Sequence, residues 1–256
     1  RTEAIDGFKV SLPEARTLRY GENPHQEGRF FGALNQLFDQ LHGKAISYNN
    51  LVDIDAAVHL IDEFEAPTFA ILKHTNPCGL ASRDTLQEAW EAALAGDPVS
   101  AFGGIVIANR KVDKATAEAI HEIFIEVIIA PDYEEEALAV LQGKKNRIIL
   151  KRKALALPKR QFKSLLNGVV EQDKDASIEG AEQFTYVTDK RPTTAEEADL
   201  VFAMKVCKHL KSNAIAVAKD RQLIGMGAGQ TSRVDALQQA VAKARHFDFD
   251  TTGAVL

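Results

Sequence analysis

Short apolar runs alternate along this chain with stretches of helical period, and that alternation limits the fold more than any other feature. "PTFAILKH" (67–74) is a β-rich run, and "SRDTLQEAWEAALAG" follows it. In that stretch Leu86, Ala89, Trp90, Ala93 and Leu94 recur at helical spacing and Gly96 supplies a stop. "AFGGIVIANR" reads as a Gly-Gly pair feeding a strand. "TAEAIHEIFIEVIIAPDYEEEALAVL" reads as helix, buried strand, Pro131, then a helix whose first-turn acids suit the positive end of its dipole. Later, "EEADLVFAMKVCKHLK" predicts an amphipathic helix, "NAIAVAKDRQLIGMG" two strands around a turn, and "SRVDALQQAVAKARHF" a helix opened by a Ser232–Asp235 capping box. Strands and helices in this order make an α/β protein.

The pieces "GLASRDTLQEA" and "GQTSRVDALQQA" look alike, each with Gly three residues ahead of Ser-Arg. This hints at two related α/β subdomains rather than one continuous sheet, although so short a match also arises by chance. A division follows: a first subdomain over 1–143, a basic connection over 144–195, and a second subdomain over 196–256. Within the connection, "KKNRIILKRKALALPKRQFK" (144–163) is read as a solvated strand and loop rather than a nucleic-acid patch.

The 256 residues are 45% hydrophobic and 26% charged, enough for an ordinary globular core. A net charge of −5 supplies no basic excess for neutralising nucleic-acid phosphates. No apolar run approaches the ~18 residues of a membrane span, and the first residues lack a secretory pattern. The two cysteines, Cys78 and Cys207, cannot build a disulfide framework or a four-cysteine zinc site. A cytoplasmic protein is expected. Arg1 at the start and the interrupted strand opening "GAVL" at the end suggest part of a longer polypeptide.

Four segments carry residues suited to chemistry. In "LRYGENPHQ" (18–26), Arg19 offers a fork for phosphate or carboxylate and Tyr20 a stacking face, although a polar surface turn accounts for both. In "ILKHTNPCGL" (71–80), Lys73 and His74 end an apolar run, where desolvation lowers the pKa of either group. One can then donate to a developing oxyanion while the other takes a proton, or Lys73 simply reaches solvent and His74 caps a carbonyl. In "SAFGGI" (100–105), Gly103 allows close backbone approach, while Phe102 stacks on a ligand or fills the core. In "GMGAGQTSR" (225–233), three glycines ahead of a capped helix resemble an anion-binding loop, though without dinucleotide or Walker spacing. Glu126 interrupts an apolar run and needs a partner, a pocket or a solvated edge. Asn213 opens a strand and suits a ligand amide or a turn. The seven histidines include no helix-spaced ligand pair, and no G-x-S-x-G elbow occurs.

Taken in order, "LRYGENPHQ", "GKAISYNN", "ILKHTNPCG", "DPVSAFGGIV", "EVIIAP", "KSNAI" and "GAGQTSR" resemble the transformylase part of the bifunctional AICAR formyltransferase/IMP cyclohydrolase family of purine biosynthesis. The resemblance runs from about Arg16 to Leu256. It implies two cytidine-deaminase-like α/β subdomains in tandem, the second incomplete, without the deaminase zinc signature. It implies formyl transfer from 10-formyltetrahydrofolate, as cosubstrate, to the 5-amino group of AICAR. It also implies a homodimer with active sites at the subunit interface, no catalytic metal and room for a structural monovalent cation.

Matched by position, Lys73 and His74 fall on the family's catalytic pair, His74 accepting the amine proton and Lys73 supporting charge at the formyl group. Arg19 and Tyr20 match residues that hold the nucleotide, and Phe102 and Gly103 match pocket residues. Glu126 falls where the family has a carboxylate near the base, Asn213 on a carboxamide contact and Arg233 on the folate side. Asn76-Pro77-Cys78-Gly79 is expected to turn the chain away from the pair, with Cys78 structural. The family's cyclohydrolase domain and its segment beyond "GAVL" have no counterpart in the chain, so ring closure is not expected. A nucleotide-binding unit without turnover is the main alternative. A zinc-dependent deaminase and an RNA-binding module are two further ones.

Overall fold

A computed structural model describes residues 7–12, 14–177 and 180–256. Its elements, in chain order, are strands β1 (Ala15–Thr17) and β2 (Arg29–Phe31), a short helix α1 (Leu34–Leu37), strand β3 (Phe38–His42) and helix α2 (Tyr48–Ile61). A hairpin of β4 (Thr68–Lys73) and β5 (Asn76–Ser82) leads into α3 (Leu86–Gly96) and the one-turn α4 (Pro98–Ala101). Then come β6 (Ile105–Ala108), α5 (Lys114–His121), β7 (Val127–Ala130), α6 (Glu135–Gln142) and β8 (Ile148–Arg152). A second hairpin, β9 (Arg160–Leu165) and β10 (Gly168–Asp173), precedes α7 (Thr194–Lys208), β11 (Ile215–Lys219), β12 (Gln222–Gly227) and α8 (Arg233–His246).

Eight strands form one mixed sheet in the order β11-β12-β5-β4-β6-β7-β8-β3. The β6–β7 and β7–β8 pairs are parallel and the others antiparallel. Side chains alternate across it, as the two-residue period of a strand requires. Ala70, Leu72, Leu80, Ile107 and Leu223 meet α2 and α7 on one face. Phe69, Ile71, Val106 and Ile128 meet α3, α5 and α6 on the other, and Val217 and Ile224 meet α8 there. The result is three layers, helix on sheet on helix.

One expectation is overturned here. The strands of the two halves do not make separate sheets, because β12 pairs with β5 through Gln222 and Ala81, and the Ser82 N–H donates to the Arg221 carbonyl at 2.9 Å. The likeness of "GLASRDT" and "GQTSRVD" does not survive either. Gly79 lies inside β5 and α3 is capped by Thr85, whereas Gly229 is in a loop and α8 is capped by Ser232. A repeat does exist one level up. Helix, hairpin and helix recur as α2-β4-β5-α3 and α7-β11-β12-α8, each with its first helix on one face and its second on the other.

The segment 144–163 is only partly a solvated connection. Its Ile148, Ile149 and Leu150 are wholly buried, because β8 lies between β7 and β3 inside the sheet. Three consecutive basic residues in it are ion-paired: Lys151 with Asp132 at 2.7 Å, Arg152 with both oxygens of Asp62 at 2.5 and 2.7 Å, and Lys153 with Asp39 at 2.6 Å. The capping box at α8 is half formed. Ser232 accepts from the Asp235 N–H, but its hydroxyl donates to the Asp235 carboxylate instead of that carboxylate reaching back to the Ser232 N–H. Full boxes close α2, α3 and α7 at Ser47, Thr85 and Thr193. The strand opening read in "GAVL" forms one bridge, Val255 to Ala218, beside β11.

Candidate functional site

The β4–β5 hairpin places the Lys-His pair. Lys73 pairs with Asn76, leaving His74 and Thr75 as a two-residue loop with φ of 49° and 66°. Positive φ at both loop positions is the type I′ pattern, which suits the twist of the flanking strands and normally selects Asn or Gly. His and the β-branched Thr fit it poorly, at a cost of roughly 1–3 kcal/mol for each left-handed residue. The turn therefore lies one step earlier than the sequence suggests. Asn76-Pro77-Cys78-Gly79 is the returning strand, not the bend.

One tertiary contact and two local ones hold this turn. The Thr75 N–H donates to Asp53 Oδ1 at 2.7 Å, the Thr75 hydroxyl to the His74 carbonyl at 2.6 Å, and Asn76 Nδ2 to the same carbonyl at 2.9 Å. His74 is exposed at the tip and Lys73 is half-buried. Lys73 Nζ donates to the Phe102 carbonyl at 2.7 Å. That carbonyl is presented by the bend at Gly103 (φ 68°), whose N–H is held by the Phe124 carbonyl at 2.7 Å. The Phe102 ring is 62% exposed and stacks obliquely on Phe124, so it is not a core residue.

Glu126 is paired, as a half-buried carboxylate must be: Lys44 Nζ lies 2.7 Å from its Oε1. Burial pushes the Asp53 carboxyl up, the Thr75 N–H opposes that shift, and the charges of His74, Glu126 and Lys73 act on it in that order. Lys73, His74, Phe102, Gly103, Glu126 and the unforeseen Asp53 thus form one cluster.

A cleft of about 360 Å³ opens beside the pair, between the two helix-hairpin-helix units. Lys73, His74, Asn76 and Cys78 line one wall, and Lys211, Met226, Gly229 and Lys243 line the other. Lys243 is bound to Asp97, which is 2% exposed. Burial disfavours the Asp97 carboxylate, but hydrogen bonds from Lys243 and Ser100 outweigh it and hold the carboxyl below its usual range. Lys73 and Lys211 give the cleft positive charge that suits an anionic ligand, whereas the Lys243 charge is met by Asp97. Burial drives the Cys78 thiol up to about 12, which disfavours the thiolate that a nucleophile requires.

The other expected residues divide. Asn213 sits beside the cleft, where its Nδ2 donates to the Gln230 and Thr231 carbonyls, both at 3.2 Å, and ties two loops together. Arg19 and Tyr20 do not line the cleft; Arg19 is exposed and lies over the Tyr20 ring at 5.5 Å. Their loop is tethered to α2 by Asn49 Nδ2, which donates to the Glu22 carbonyl at 3.1 Å. Arg233 is exposed at the start of α8 and also lies outside the cleft.

The glycine loop is corrected. Gly225 and Gly227 belong to β12, where an added Cβ would lie 2.2 and 2.0 Å from the Ala240 and Ala236 carbonyls. They let α8 press on the sheet, and only Gly229 (φ 68°) is in the loop. Among the described residues, no group of three or more His, Cys, Asp or Glu side chains is placed to hold a metal ion, and no helix is long and apolar enough to cross a membrane.

Sequence reasoning missed Asp53, Lys44, Lys211 and Lys243. Lys44 and Lys211 lie inside "GKAISYNN" and "KSNAI" but were not singled out there, whereas Asp53 and Lys243 belong to no recognisable motif, although Asp53 shares a helix face with Asn49 at i,i+4.

A family profile described as AICARFT/IMPCHase bienzyme matches residues 2–243. The chain is 62% identical over 249 residues to the bifunctional purine biosynthesis protein PurH of Bacteroides thetaiotaomicron, covering 97% of the chain and 49% of that protein. It is 48% identical to PurH of Chloroflexus aurantiacus and 46% to that of Caldicellulosiruptor saccharolyticus, covering 100% and 98% of the chain and 51% and 50% of those proteins. The chain spans about half the length of these relatives. Seven motifs in order, a Lys-His pair at a cationic cleft and a match over nearly all its residues place this chain in the AICARFT/IMPCHase bienzyme family.

Proposed function

We propose that this chain carries the formyl-transfer half of the bienzyme: transfer of the formyl group of 10-formyltetrahydrofolate to the 5-amino group of AICAR. The observation that carries the reading is the Lys73-His74 pair, set at the strained His74–Thr75 turn on the rim of a lysine-lined cleft between two helix-hairpin-helix units. The repeat of those units supports the tandem deaminase-like reading. A homodimer with interface sites and a cytoplasmic location belong to the same proposal.

The amine of AICAR is conjugated with its ring and carboxamide, which makes it a poor nucleophile. As its nitrogen bonds to the formyl carbon, the carbonyl oxygen gains negative charge and the amine nitrogen becomes acidic. His74, exposed at the tip, takes that proton. Lys73, held half-buried by the Phe102 carbonyl, stabilises the oxyanion. The C–N10 bond of the folate then breaks, and N10 receives the proton that left the amine. Phe102, Gly103 and Glu126 border the nucleotide in this reading. Asn213 supports the wall facing the carboxamide, Arg19 and Tyr20 reach the nucleotide from their loop, and Arg233 faces the folate.

The test is tetrahydrofolate release by the purified chain supplied with AICAR and 10-formyltetrahydrofolate. Turnover is expected, and Lys73→Ala and His74→Ala should each lower kcat by about 10²–10⁴-fold. The rival reading is nucleotide binding without transfer. AICAR binding by calorimetry with no turnover would select that rival.

A further inference from the structure

The structure assigns Asp53 as a positioning residue that holds the His74–Thr75 turn in its left-handed form and so aims the Lys73-His74 pair into the cleft. This rests on the formyl-transfer reading for its catalytic consequence. A two-residue loop with both φ values positive and no glycine is not self-supporting, since its own side chains disfavour the conformation. Something outside the hairpin must select it.

The contact that can do so is the bond from the Thr75 N–H to Asp53 Oδ1 at 2.7 Å, between residues 22 apart in sequence. The bonds from the Thr75 hydroxyl and from Asn76 both end on the His74 carbonyl and lie within the turn itself. Asp53 is well placed for the task. It sits on the second turn of α2, which is fixed by the Ser47 capping box at its start and packs on the sheet through Ile54, Ala57 and Val58. A carboxylate on a packed helix is a rigid acceptor, whereas a loop acceptor would move with the turn. One turn earlier, Asn49 holds the Glu22 carbonyl of the Arg19–Tyr20 loop. The same helix face therefore sets both the catalytic turn and the loop that carries two expected nucleotide contacts.

A residue whose task is to hold a left-handed turn becomes dispensable once the turn needs no holding. Asp53→Ala, Asp53→Asn, Thr75→Gly and the double variant Asp53→Ala/Thr75→Gly separate this from a general structural role. Glycine adopts positive φ at no steric cost, and asparagine keeps an acceptor oxygen. In Asp53→Ala, the Thr75 amide should exchange with solvent about tenfold faster, the loss of one hydrogen bond. Its kcat should fall by about 10- to 100-fold, the cost of misplacing a reacting group, with KM for AICAR within about threefold. Asp53→Asn should stay within about threefold of the wild type, and Thr75→Gly should return the double variant to its own level.

The proposal is overturned if Thr75→Gly fails to rescue, if Asp53→Asn is as damaging as Asp53→Ala, or if Asp53→Ala leaves the Thr75 amide protected. A wild-type chain without turnover is a different result. It overturns the formyl-transfer reading and the aiming role together, while the Thr75 amide still decides whether Asp53 holds the turn.

Discussion

Gly103 shows how one residue can set the position of Lys73. Its φ of 68° is a conformation that side-chain-bearing residues avoid, and an added Cβ would lie 3.3 Å from Lys73 Nζ and 3.5 Å from the Phe124 ring. Gly103→Ala should therefore act twice. The left-handed backbone costs roughly 1–2 kcal/mol of stability, and the crowded ammonium shifts away from the Phe102 carbonyl. A lower urea midpoint, together with a kcat loss larger than the stability change explains, is the expected outcome. An unchanged midpoint would mean that this bend relaxes freely. At this scale the Lys73-His74 pair was legible because it ends an apolar run and is embedded in the nine-residue motif "ILKHTNPCG". Asp53 was not, because its partner is a backbone N–H twenty-two residues away and no side-chain pattern records such a contact.

Helices α2 and α7 share the face that carries Asp53, and a buried carboxylate joins their C-terminal ends. Glu63, 8% exposed, is contacted at 2.9 Å by both Lys208 and His209. Burial disfavours its charge, but hydrogen bonds from His209 and Lys208 prevail and hold its carboxyl below the usual 4.5. In this range the unfolded chain binds the proton more readily than the folded one, so stability rises with pH. The contribution is complete above about pH 4.5 and is lost as the pH falls through the lower folded value. Unfolding followed between about pH 6 and pH 3 should show that loss, and Glu63→Gln should flatten the curve in this window. An equally steep curve in the variant would assign the loss to other carboxylates. Helix caps were less legible than helix faces. Periodicity located α3, α7 and α8 well, yet the box expected at Ser232 is only half formed, because the Asp235 carboxylate accepts from the Ser232 hydroxyl instead of the backbone.

The two helix-hairpin-helix units share one sheet and one core, since Leu80 of β5 packs in the same cluster as Phe202 of α7 and Leu223 of β12. They should unfold together. Trp90, the sole tryptophan and 1% exposed, reports the first unit, while far-UV circular dichroism reports both. Coincident urea transitions are expected from the two probes, and an earlier dichroism transition would mean the units are independent. The sequence alone determined β4, β6, β7, the β11–β12 hairpin and helices α3 and α5 to α8, through apolar runs and the 3.6-residue period, and the family, through seven motifs in order. Helix α2, β5 and the β9–β10 hairpin emerged only in the structure. Tertiary structure decided how those elements join. A pairing such as Gln222 with Ala81 depends on a spatial meeting of distant segments, and the exposed edge of a strand carries only generic N–H and C=O groups. The same reason moved Gly225 and Gly227 from an expected ligand loop to the seat of α8. A glycine states only that a side chain would not fit, and the fold decides what stands in its way.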